Sequence, residues 1–177
     1  MPAPSTPKQY ILLPVNPWFI GFTLVFSLML NLLPVGRATW TLAWPDWVAL
    51  TLVFWNIHQP RRVGLAVAWM LGLVMDVNNA SLLGEHALAY SVLSYAAISL
   101  HRRVLWFPWP TQMVHVLPLL LAAQAVILLI RLSVGGHFPG LAYFSASLTA
   151  IALWPLASWL YLAPQRRPAE KDENRPI

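Results

Sequence analysis

Pro60-Arg61-Arg62-Val63-Gly64, Gly72-Leu73-Val74-Met75-Asp76 and Gly84-Glu85-His86-Ala87-Leu88 follow one another within residues 60–88, and the reading of the fold turns on this stretch. A cationic pair opens it, an almost wholly apolar helix with small residues comes next, and one carboxylate lies at its far end. A lone charge at membrane depth costs roughly 2.5–3.5 kcal/mol on insertion scales. Asp76 therefore calls for a compensating partner, and that partner bears on what the protein does.

The rest of the chain makes membrane depth the right frame. It is 58% hydrophobic and 10% charged, with a mean hydropathy of +0.60, whereas soluble domains carry about 25% charged residues. An all-α integral membrane protein is the expected class. The chain has no cysteine, which removes disulfides, thiolate nucleophiles and thiolate metal sites. Its net charge of +5 does not indicate nucleic acid, because the basic residues come in pairs between apolar segments, the pattern of topology signals.

Hydropathy divides the chain into an N-terminal cytoplasmic segment (1–16), a six-span transmembrane domain (17–163) and a charged, Pro-rich cytoplasmic tail (164–177) expected to be disordered. The spans fall at about 17–34, 45–57, 63–77, 83–100, 112–132 and 141–162. The second is weak. Pro45-Asp46 reads as a helix start, and the eleven residues after it make about 16 Å of helix against a hydrocarbon core of about 30 Å. A short or re-entrant helix is expected there. Prolines 118 and 155 are expected to kink the fifth and sixth spans.

With six crossings and the N-terminus inside, Lys8, Arg61, Arg62, Arg102, Arg103, Arg166, Arg167, Lys171 and Arg175 are cytoplasmic. Only Arg37 and Arg131 lie outside. This asymmetry favours both termini in the cytoplasm, with Arg61, Arg62, Arg102 and Arg103 as topology anchors. Trp18, Trp44, Trp47, Trp55, Trp106, Trp109 and Trp159 lie near span ends, where amphipathic rings favour the interface.

Gly64, Ala68, Gly72 and Asp76 recur every four residues and so share one broad face of about 120°. Such a small-residue face lets a second backbone approach, either inside the protein or from a partner. Asp46, Glu85 and His86 fall on the same outer side as Asp76 and form a candidate polar rim. Arg131, Arg37, Asn78 and Asn79 are the candidate partners for Asp76. Gln124, in mid-span, needs a bond to another helix, with Ser91 or Ser94 in reach.

No metal site is expected. His86 and His115 lie near opposite ends of their helices, while Glu85 and His86, being adjacent, diverge by about 100°. His58 and His101 read as interface residues beside the basic pairs. Catalysis is also not expected: no catalytic residue stands out and no cofactor is implied. Asp46 and Asp76 are the one membrane-region aspartate pair, but the Gly-x-Gly-Asp context of aspartyl membrane proteases is missing, as are serine and zinc protease motifs.

Pro45-Asp46, Trp55, Pro60-Arg61-Arg62-Val63-Gly64, Gly72-Leu73-x-x-Asp76 and Leu83-Gly84-x-His86-Ala87-Leu88, in this order and spacing, resemble the MreD family of rod shape-determining membrane proteins. The resemblance implies an inner-membrane component of the bacterial elongation complex. It would act with MreC and, through it, with the elongation transpeptidase, RodA and MreB. It also implies a six-helix bundle similar to the substrate-binding subunits of energy-coupling vitamin transporters, which makes a small-molecule or lipid-binding subunit the alternative function. The first span, Trp18 to Ser27, carries bulky residues where those subunits have an Ala-x-x-x-Ala docking stripe, and this departure disfavours transport.

Overall fold

The structure is a computed structural model that describes residues 10–12, 16–33 and 43–168. Among these described residues seven helices dominate: α1 (Pro17–Leu32), α2 (Trp47–His58), α3 (Leu65–Asn78), α4 (Glu85–Leu105), α5 (Trp109–Ser133), α6 (Ser145–Ala152) and α7 (Trp154–Leu162). A 3-10 turn over Leu141–Phe144 leads into α6. Two short strands, β1 (Tyr10–Leu12) and β2 (Arg166–Pro168), pair antiparallel with Ile11 opposite Arg167. Residues 166–168, at the start of the proposed tail, are thus a strand paired with β1, and the rest of the tail lies outside the described residues. Backbone pairing needs no apolar sequence, so composition did not reveal it.

Local chemistry sets the helix limits. Asn16 caps α1 by accepting from the Trp18 amide at 3.0 Å, with Pro17 at the first helical position. Asp46 caps α2 in the same way, accepting from the Ala49 amide at 2.9 Å. Between α6 and α7 the α-helix is interrupted at Leu153. Pro155 has no amide to give Ile151, so the sixth apolar segment breaks there. Pro118 sits inside α5, which continues through it as one helix.

The short second helix is central. From Val48 to Ile57 every residue of α2 is buried, enclosed by α1, α4, α5, α6 and α7. A helix that is apolar all round and surrounded by others need not span a bilayer by its own length. Trp55 is correspondingly a core residue and not an interface anchor. It is fully buried, its indole donating to Thr23 Oγ1 of α1 at 2.8 Å, with Phe54 and Tyr161 against its ring. Thr51 and Tyr161 share a hydrogen bond of 2.8 Å between α2 and α7, and Asn56 donates to Ser94 of α4 at 2.7 Å.

Among the described residues, two segments, Trp109–Ser133 and Leu141–Gln165, are long and apolar enough to cross a membrane, while α1, α2 and α3 are shorter apolar helices. Outside the core the surface is strongly apolar, with Trp18, Phe22, Trp69, Val77, Tyr95 and Leu129 among its exposed side chains.

Candidate functional site

Among the described residues the acidic side chains, Asp46, Asp76 and Glu85, cluster at one end of the bundle, where α2 and α4 begin and α1, α3 and α5 end. Each carboxylate sits at a helix N-terminus, where unpaired amides and the helix dipole favour an anion.

Asp76, in the last turn of α3, is fully buried and laid across the start of α4. Its Oδ1 accepts from the His86 amide at 2.7 Å, from His86 Nδ1 at 2.8 Å and from Ser81 Oγ at 3.2 Å. Its Oδ2 accepts from the Gly84 amide at 2.8 Å, with the Ala87 amide at 3.4 Å. The N-cap of α4, Gly84, has φ +102, a left-handed conformation natural to glycine, and offers no capping side chain of its own. Asp76 does that work from the neighbouring helix. The compensating partner is therefore a helix terminus plus an imidazole. Arg131, Asn78 and Asn79 do not supply it, and Arg37 lies outside the described residues.

Gly72 lies one turn before Asp76 and explains how α3 comes so close. A Cβ there would stand 2.3 Å from the Ala87 Cα and 2.5 Å from its amide nitrogen. Ala68 is fully buried on the same face. Hence Ala68, Gly72 and Asp76 face α4 of the same chain, while Gly64, at the N-cap of α3, has open space around it. Of the two occupants that the spacing left open, a helix of this chain or a partner, α4 takes the stripe at Gly72 and Asp76.

Asp46 ties three helices together. Besides capping α2, its Oδ1 accepts from Asn31 Nδ2 of α1 at 2.8 Å, and its Oδ2 accepts from the Tyr90 hydroxyl of α4 at 2.8 Å. Asn31 also accepts from the Trp47 amide at 3.0 Å. Glu85, 2% exposed, accepts from Arg131 Nε of α5 at 2.6 Å. Glu85 and His86 thus turn to different partners, as their divergence on the helix requires. Removing the guanidinium would strand a buried carboxylate, but the Arg131 side chain is 41% exposed, so solvent tempers the loss. Arg131→Leu is expected to cost about 1–3 kcal/mol in thermal unfolding followed by tryptophan fluorescence. Adding Glu85→Gln should recover part of it; no recovery would show that Arg131 acts otherwise.

Gln124 bonds away from the expected serines. It accepts from Ser147 Oγ and donates to the Tyr143 carbonyl at 3.3 Å, bracing α5 against α6 and the turn before it. Asn56 takes Ser94 instead, and Ser91 bonds its own Ala87 carbonyl. Next to Gln124, Asp46 and Ser147 line an internal void of about 10 Å³, about the space of one water molecule. Asn31 and Tyr90, both essential to the Asp46 knot, went unnoticed in the sequence. A polar residue near the end of an apolar run, in reach of a helix start, was the available signal.

The anchors lie at the opposite end. Arg61 and Arg62 are exposed in the turn between α2 and α3, and Arg102 and Arg103 are exposed in the last turn of α4.

The family described as rod shape-determining protein MreD matches residues 14–163. The rod shape-determining protein MreD of Haemophilus influenzae is 30% identical over 148 residues, 80% of this chain and 83% of that protein. No solved structure matches the chain significantly.

Proposed function

The chain belongs to the MreD family of rod shape-determining membrane proteins, and from that premise we propose that it is a non-enzymatic scaffold that binds MreC by helix packing in the bilayer. Through MreC it would regulate the elongation transpeptidase, RodA and MreB in peptidoglycan synthesis. The observation that carries this reading is the close packing around the polar cluster at the carboxylate end, among the described residues. Asp46, Asp76, Glu85 and Gln124 are each bonded to another helix or to the turn beside it, and the void beside Asp46 and Gln124 holds about 10 Å³. Small-molecule pockets run to about 300–1,000 Å³. Function is therefore assigned to the outer surface, and the vitamin-binding alternative finds no room beside this polar cluster.

In this proposal the helices cross the inner membrane six times, α6 and α7 counting as one broken span, with both termini cytoplasmic. The pairing of β1 with β2, at the end opposite the carboxylates, supports an even number of crossings. The four arginines at that end support its cytoplasmic placement.

The face offered to MreC lies one residue around α3 from the filled stripe. Leu65, Trp69 and Val77 are exposed, with Leu73 half-buried among them. Successive members are four residues apart and run the length of α3, which packs chiefly on α4 and leaves this side open. Because the chain has no cysteine, single cysteines at Trp69, Val77, Phe22 and Leu129 can each carry one crosslinker. MreC adducts are expected at Trp69 and Val77. Adducts confined to Phe22 or Leu129 would move the face, and failure of MreC to co-purify at all would refute the scaffold reading.

A further inference from the structure

The longest-sided of the central helices, α4, is packed chiefly by α2, α3 and α5, and its remaining side faces outward. Leu88, Val92, Tyr95 and Ser99 are exposed along that side, and exposed Arg102, Arg103 and Trp106 continue the line. Trp106, at the C-cap, still has helical backbone angles. At 100° per residue all these positions fall within about 100° of the circumference, so they form one stripe. At its end Arg102, Arg103, Trp106 and Phe107 line a hollow of about 340 Å³. On the membrane embedding proposed above, we infer that the stripe is a binding site for one anionic phospholipid of the cytoplasmic leaflet. Its phosphate sits in the hollow with the two guanidiniums, and an acyl chain lies along Tyr95 and Val92.

Charge, medium and length each select this occupant. The acidic side chains among the described residues, Asp46, Asp76 and Glu85, are bonded at the far end of the bundle, so none of them competes for the arginine pair. The helix that starts after the corner, α5, has no acidic residue in its first turn and no capping side chain. The corner is therefore positive. Cationic side chains near the surface draw anionic headgroups, and the guanidinium fork suits a phosphate. Beside the pair Trp106 is 92% exposed. An acidic soluble segment would match the charges and leave that ring in water, whereas a bilayer interface takes both. From Val92 to Arg102 the stripe runs about 15 Å, half of a hydrocarbon core of about 30 Å. That is the depth of one leaflet.

The full chain, purified without MreC, is placed in nanodiscs of equal phosphatidylglycerol and phosphatidylcholine, and the retained lipid is identified by native mass spectrometry. One arginine near the surface favours an anionic lipid about fivefold, so the wild type is expected to retain phosphatidylglycerol about twenty-five-fold over phosphatidylcholine. Arg102→Gln and Arg103→Gln should each lower this to about fivefold, and the double variant should reach parity. Both side chains are exposed, so the unfolding temperature should hold. Arg61→Gln, exposed at the same end but outside the hollow, should keep the wild-type preference.

A wild type without preference would overturn the site. So would an Arg61→Gln effect equal to that of Arg102→Gln, which would mean a diffuse charged belt. Capture of a protein helix in cells by a crosslinker on Tyr95→Cys, with no lipid retained by the purified chain, would give the stripe to a partner instead. The embedding is read separately: Arg61→Cys should react with a membrane-impermeant maleimide only after the inner membrane is opened. Earlier reaction would overturn the embedding and the leaflet with it. None of these results depends on whether MreC binds α3, so failure here stays distinct from failure of the scaffold reading.

Discussion

Gly72→Ala is expected to destabilise the protein by about 1–3 kcal/mol, although alanine is the better helix former by about 1 kcal/mol. The new methyl would begin 2.3 Å from the Ala87 Cα and 2.7 Å from the His86 carbonyl carbon. These are backbone atoms near the start of α4, so no rotamer change relieves the overlap. The two helices must separate by about 1 Å or more, and the damage does not stay at Gly72. Asp76 lies one turn further along α3, and its bonds to the amides of Gly84 and His86 depend on the same approach. Thermal unfolding in detergent, followed by intrinsic tryptophan fluorescence, is the measurement. Gly21→Ala is the control: with nothing within 4 Å of its Cβ, the propensity gain is unopposed and the melting temperature should hold or rise. Equal behaviour of the two variants would mean that α3 and α4 do not meet at Gly72. Gly72→Leu should prevent a stable α3–α4 pair altogether and lower the amount of protein recovered from membranes.

Which parts of this arrangement were legible in the sequence follows from how each is encoded. The helix starts at Asp46 and Pro17 are written locally, in residues adjacent to the amides they cap or the turn they open. The small face of α3 is written in a four-residue repeat, and its closeness to another backbone follows from side-chain size alone. The identity of that backbone is not written there. Choosing between α4 and a partner helix requires knowing which element returns alongside α3, and the connection through Gly84 decides it by turning the chain back within a few residues. The partner of Asp76 was missed for a related reason. A search for counter-charges finds Arg131, but helix N-terminal amides carry no mark in an amino-acid sequence. Arg131 was in fact committed to Glu85. The short helix after Asp46 was legible, but Trp55 was misjudged because its position along the chain resembles that of an interfacial residue. Only the packing of five other helices around α2 makes it the core.

Asp76→Asn changes charge and hydrogen-bond polarity with almost no change in volume, so it isolates what the carboxylate does. In the wild type both oxygens accept: Oδ1 from the His86 amide and ring, Oδ2 from Gly84. An amide keeps one acceptor and replaces the other by an NH2 group. In one orientation the NH2 faces the Gly84 amide; in the other it faces the His86 amide. Either way a buried donor points at a donor, with a cost of about 1–3 kcal/mol for each group left unpaired. The ring of His86 can soften this only where the NH2 occupies the Oδ1 position, by presenting a deprotonated Nδ1 to it. The Gly84 orientation gains nothing of the kind. A net loss of about 2–4 kcal/mol is therefore expected, read as a lowered melting temperature of the purified protein. Because Trp69 and Val77 ride on α3, loosening its end should also weaken capture of MreC, and a strain with only this copy should lose its rod shape. Unfolding unchanged, with MreC capture intact, would show that the carboxylate is not needed as an anion. Lowered stability with normal MreC capture and normal rods would confine Asp76 to holding α3 on α4.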